Sequence, residues 1–121
     1  MKHILHILFI YILCSVIQLN AEEIPYLLTA SAKGDLETVK AVIESGGDPN
    51  TEDKDRINAL MYASRKNQIE IVEYLISQGA EINKVENDGW TALMFAAKKN
   101  YSGLVKILLE NNADPKITDS D

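Results

Sequence analysis

Residues 88–97 read Asp88, Gly89, Trp90, Thr91, Ala92, Leu93, Met94, Phe95, Ala96, Ala97, and 33 residues earlier stand Asp55, Arg56, Ile57, Asn58, Ala59, Leu60, Met61, Tyr62, Ala63, Ser64. The same offset runs through the rest of the chain. Leu27, Leu60 and Leu93 align at it, as do Ala30, Ala63 and Ala96, then Val39, Val72 and Val105, then Val42, Leu75 and Leu108. Large apolar, small and turn residues hold one register through three copies, which is the pattern of a supersecondary unit repeated and stacked. A single such unit buries only part of its apolar surface, so the copies are expected to be stable collectively.

Each unit alternates two short helical periods with a turn. Residues 58–67 and 91–100 place apolar side chains at spacings of three and four, which predicts one short helix per unit. Ile69, Val72, Leu75 and Ile76 repeat the spacing as a second helix, matched in the third unit by Val105, Leu108 and Leu109. Gly46, Gly79 and Asn112 follow at positions suited to a left-handed cap. Polar stretches with turn chemistry come next, at 48–55, 81–89 and 114–121. Alanine at 30, 63 and 96 allows the inner helices to approach closely. The leucines at 27, 60 and 93 are expected to fill the space between inner and outer helices, with Val39, Val72 and Val105 facing them.

These residues resemble the ankyrin-repeat family. The run from Asp88 to Ala97 looks like the opening of such a repeat, and Val105, Leu108, Leu109, Ala113 and Asp114 stand where its second helix and closing turn lie. The second unit matches through Ala59, Leu60, Ala63, Ile71, Val72, Leu75, Ile76, Gly79, Ala80 and Asn83. The first matches less fully, through Leu27, Ala30, Gly34, Asp35, Val39, Val42, Gly46, Asp48 and Asn50. The resemblance implies an all-α solenoid of three stacked helix-turn-helix repeats with extended turn loops, at about 24–55, 56–88 and 89–121. The chain also departs from the family pattern. Met61 and Met94 replace its usual histidine, Ala59 and Ala92 its proline, and Arg56 the turn glycine that Gly89 supplies. Ser102 stands in the place of the apolar Leu36 and Ile69, and Asn112 in that of a glycine, so the last unit is expected to be a polar terminal cap. Pro25 opens the first inner helix, where its missing amide hydrogen costs nothing.

The first 21 residues stand apart from the repeats. After Met1, Lys2 and His3, residues 4–19 are almost continuously apolar, and Ala21 is followed by Glu22 and Glu23. Sixteen residues fall short of the roughly 20 that span a bilayer, so a secretory signal peptide cleaved after Ala21 is expected. The alternatives are an uncleaved membrane anchor through residues 4–19, or lipidation of Cys14, which the bulky Leu13 disfavours. Cleavage would leave residues 22–121 as the repeat domain, exported to the periplasm or secreted. A leader this compact points to a bacterial source.

Loss of the leader would remove Cys14, the one cysteine, and His3 and His6, the two histidines. A thiolate nucleophile, an imidazole base and a His/Cys metal site would then have no residues to form them. Glycines stand mostly singly at turns, with no phosphate-binding loop, and no serine and lysine share a recognisable catalytic setting. Glu52, Asp53 and Asp55 lack the glycine and distal glutamate of a calcium loop. No enzyme activity, cofactor or metal is expected. The net charge of minus 6 disfavours non-specific nucleic-acid binding and anionic membranes, and contact with a membrane is expected only if the leader is retained.

What the resemblance implies is a non-enzymatic protein-interaction module, expected to be a monomer, that holds a partner against a concave face of turn tips and inner helices. Trp90, at a turn tip, and Ile57, one repeat earlier, are the candidate apolar anchors; the alternative is that Trp90 folds back over its own repeat. Lys33, Lys66 and Lys99 recur at the repeat spacing and, with Arg65 and Lys98, form a candidate basic stripe. Cations at helix C-termini also complement the macrodipole, which accounts for them without a partner. The expected partner is a protein with an acidic surface and an apolar anchor site. A structural or self-assembling envelope role, tethered by the N-terminal segment, is the alternative function.

Overall fold

A computed structural model describes residues 24–119, and the leader expected at 1–21 lies outside them. The described residues form six helices and no strand: α1 (Tyr26–Lys33), α2 (Leu36–Glu44), α3 (Ala59–Arg65), α4 (Ile69–Ser77), α5 (Ala92–Lys98) and α6 (Ser102–Glu110). The helices α1, α3 and α5 stack on one another as an inner layer, and each packs on the outer helix that follows it. No helix of the described residues is long and apolar enough to cross a membrane.

Side chains and backbone conformation set where each helix begins and ends. The Asn58 side-chain oxygen accepts from the Met61 amide at 2.9 Å and the Thr91 hydroxyl from the Met94 amide at 3.2 Å, satisfying donors that a helix start leaves unpaired. At α2, Asp35 accepts from both the hydroxyl and the amide of Thr38, which holds its carboxyl below the usual range. Left-handed residues close the outer helices at Gly46, Gly79 and Asn112, as the sequence predicts. A second set at Gly34, Asn67 and Asn100 turns each inner helix into its outer partner, so the inner helices end before the asparagines. Arg56 takes the left-handed conformation of Gly89, with φ of 66° against 84°. A residue with a Cβ is strained there, and only glycine adopts that region freely.

The aligned leucines and alanines are all buried, and so are Val39 and Val72. Val105 is only half-buried, because the face it shares with Met94 lacks the cover that the next repeat gives Val72. Ser102 and Asn112, the residues on which the expected polar cap rests, are both exposed, while Met94 and Val105 of the same repeat are apolar and half-buried.

Asparagines tie each repeat to the next. Asn50 accepts from the Glu81 amide at 2.8 Å and donates to the Gly79 carbonyl at 3.3 Å. Asn83, one repeat on, accepts from the Asp114 amide at 2.7 Å and donates to the Asn112 carbonyl at 3.2 Å. Gln68 adds a bond from its side-chain amide to the Ala32 carbonyl at 3.1 Å.

Candidate functional site

Two turns and two inner helices build the surface that carries the candidate residues. In the turn leading into the second repeat, Asp53 is the organising residue: one carboxylate oxygen accepts from the amides of Asp55 and Ile57 at 2.9 and 3.0 Å. Its other oxygen accepts from the Tyr62 hydroxyl at 2.6 Å, fixing the ring on α3. Burial and then this bond push the Tyr62 phenol up to about 12, since both oppose loss of its proton. In the turn leading into the third repeat Glu86 does the same work, accepting from the amides of Asp88 and Trp90 at 2.8 and 2.9 Å. That bond sets where the Trp90 side chain leaves the turn.

From there Trp90 turns back over its own repeat. Its ring lies 5.2 Å from that of Phe95, tilted by 37°, and it is half-buried. The Lys98 ammonium sits 4.9 Å from the Trp90 ring centre. The Arg65 guanidinium, reaching across from the second repeat, lies 5.8 Å from the Tyr62 ring and 5.5 Å from that of Phe95. Cations so placed are attracted to the electron-rich ring faces, by about 0.5–1 kcal/mol each at exposed sites. The result is an alternation of rings and cations that spans two repeats.

Arg65, Trp90, Phe95, Lys98 and Lys99 line an open depression of about 410 Å³, whose remaining wall is Glu86 and Asp88. Four of the residues singled out from the sequence are thus brought together. Lys33 and Lys66 lie exposed at the ends of α1 and α3, in the same row but away from the depression's lining. Ile57 packs against the core and is half-buried, so it does not project as an anchor. Trp90 is likewise only partly exposed and does not project whole. The stripe is not uniformly positive either, because two carboxylates stand within its pocket.

Tyr62 and Phe95 stand outside the candidates drawn from the sequence. The overlooked signal was their spacing, since each precedes a cation by three residues on an inner helix (Tyr62 and Arg65, Phe95 and Lys98), where side chains share a face. Asp53 and Glu86 also stand at the repeat offset, in turns. Among the described residues no cluster of His, Cys, Asp or Glu is arranged to hold a metal ion.

A family model of ankyrin repeats, in three copies, matches residues 27–119. No curated protein matches the chain.

Proposed function

The chain belongs to the ankyrin-repeat family, whose repeats are generally protein–protein interaction modules, and on that premise we propose that it binds a partner protein in the depression around Trp90 and Phe95 on its concave face. The supporting observation is the ring-and-cation alternation of Tyr62, Arg65, Phe95, Trp90 and Lys98, which offers apolar area and fixed charge side by side. Aromatic residues and arginine supply most binding energy at interfaces because they bury much area with little loss of rotamer freedom. The partner presents carboxylates to Arg65, Lys98 and Lys99, with one apolar side chain laid on the exposed part of Trp90. Glu86 and Asp88 limit how much acid the pocket accepts. Lys33 and Lys66 extend the row and steer an acidic partner at longer range. Ile57 contributes as support beneath the loop.

The proposal includes action after export, in the periplasm or outside the cell. Its support is the sequence of residues 4–23 alone, an apolar run followed by Ala21 and two acids. Intact-mass analysis of the protein recovered from outside the cytoplasm tests it. A chain beginning at Glu22 is the expected result, and a full-length product held in membranes would overturn cleavage in favour of an anchor.

Trp90 is the only tryptophan of the chain, so its fluorescence reports on the proposed pocket directly. Acidic peptides carrying one central aromatic or aliphatic residue, selected for binding, should shift its emission on titration. Trp90→Ala should weaken them by about 2 kcal/mol or more. Lys66→Glu with Lys99→Glu should chiefly slow association, and Glu73→Lys on the outer helix should do neither. Tight binding that leaves the emission unchanged and survives Trp90→Ala would place the interface elsewhere.

A further inference from the structure

The face by which each repeat meets the next is left open at the third. Met61, Ser64 and Val72 are 1%, 0% and 0% exposed within the stack. Their equivalents one repeat on, Met94, Ala97 and Val105, are uncovered: Ala97 is exposed and the other two are half-buried. Leu109, beside them on α6, is 43% exposed. All four are apolar, and alanine has replaced the serine of the second repeat. A terminal face in contact with water alone would be expected to carry polar groups here, as capping repeats do.

We infer that this face is an interface for a second copy of the chain, two stacks meeting tail to tail about a two-fold axis. Three observations select that occupant. First, the face is not equipped for a further repeat in register. Asn50 and Asn83 bind the following turn through an acceptor oxygen, whereas Lys116, at the equivalent place, has only donors. Second, charge is laid out in a self-complementary way. Lys98 and Lys99 lie at the end of α5 and Glu110 at the end of α6, and the short connection between these packed helices makes them antiparallel, so the charges fall at opposite ends. A two-fold axis in the interface, perpendicular to the helices, sets the cationic end of one copy against Glu110 and Asp114 of the other. Third, Tyr26 is 54% exposed at the head of the stack, where the equivalent Ala59 and Ala92 are buried. Its ring obstructs head-to-tail stacking, which would propagate without closing, whereas the two-fold contact closes as a dimer. The interface departs from the monomer expected of the sequence; it shares Lys98 and Lys99 with the concave-face pocket but leaves out Trp90 and Phe95, so Trp90→Ala, which should weaken the partner and spare the dimer, separates the two.

Sedimentation equilibrium of the protein produced from the full chain tests the inference. The average mass should rise towards that of two copies with concentration. Leu109→Lys and, separately, Ala97→Glu should raise the dissociation constant on the order of tenfold or more, because each buries an unpaired charge. Both sites are exposed in the single stack, so circular dichroism and the urea midpoint should stay as in the parent. Glu110→Lys should weaken the dimer, and adding Lys99→Glu should restore it. A mass that remains that of one copy up to about 1 mM, the weak end of measurable association, overturns the inference. A dimer indifferent to Leu109→Lys and Ala97→Glu overturns it as well, and one indifferent to Glu110→Lys overturns the two-fold arrangement.

Discussion

Leu60→Ala tests the repeat register at its most sensitive point. Leu60 lies on α3, the inner helix with another inner helix on each side, and is 1% exposed. The substitution removes three carbons from a closed space. At roughly 0.8 kcal/mol per buried methylene the transfer loss is about 2.4 kcal/mol. The cavity adds about 24 cal/mol for each Å³ that the neighbours fail to fill. Because α1, α4 and α5 all pack on α3, collapse is limited and the whole cost should fall between about 2 and 5 kcal/mol. A fold of about 100 residues has roughly 5–15 kcal/mol in total, so a large fraction of the stability is lost. Urea unfolding followed by circular dichroism measures it. With a slope near 1 kcal/mol/M the midpoint should fall by about 2 M or more at unchanged slope. Ser102→Ala is the control, an exposed first position of α6 where the change should stay within about 0.5 kcal/mol. A neutral Leu60→Ala, or an equal loss in the control, would refute the register and the packing argument together.

Other expected outcomes follow from single contacts. Asn83→Ala should cost about 1–2 kcal/mol and speed hydrogen exchange at the Asp114 amide, since it breaks both bonds that tie the second repeat to the third; unchanged exchange would remove the asparagine from that role. Arg56→Gly should leave stability unchanged or raise it by up to about 1 kcal/mol, relief of the left-handed strain offsetting the looser unfolded chain. A clear loss would mean that the Arg56 contact with Glu52 at 4.0 Å matters more than an exposed pair should. The Tyr62 phenol is raised from 10 to about 12, so its stabilising effect is whole below pH 10 and lost as the pH rises towards 12. Tyr62→Phe should therefore lose less stability than the parent between about pH 9 and 11.5 in urea titrations; parallel pH profiles would argue against the Asp53 bond.

Much of the fold was legible in the sequence because its determinants are local and three times repeated. Helical spacing, the left-handed glycines and Asn112, and the leucine, alanine and valine positions can each be read without knowing what lies across the stack. The binding surface was legible only in part. That cations gather at the inner-helix ends follows from their repeat offset, but Arg65 reaching the Phe95 ring of the next repeat does not, since no local pattern relates residues 30 apart. Trp90 could be placed at a turn tip; that its ring lies on Phe95 rather than standing clear is seen only once the turn held by Glu86 is set against α5. The limit is plainest in the run Ala-Leu-Met, which occurs at residues 59–61 and again at 92–94. Met61 is buried and Met94 is not, though the same two residues precede each and an aromatic ring follows each. Burial is a property of the surface that arrives from elsewhere in the chain, and only the tertiary structure brings α5 onto Met61 and leaves Met94 uncovered.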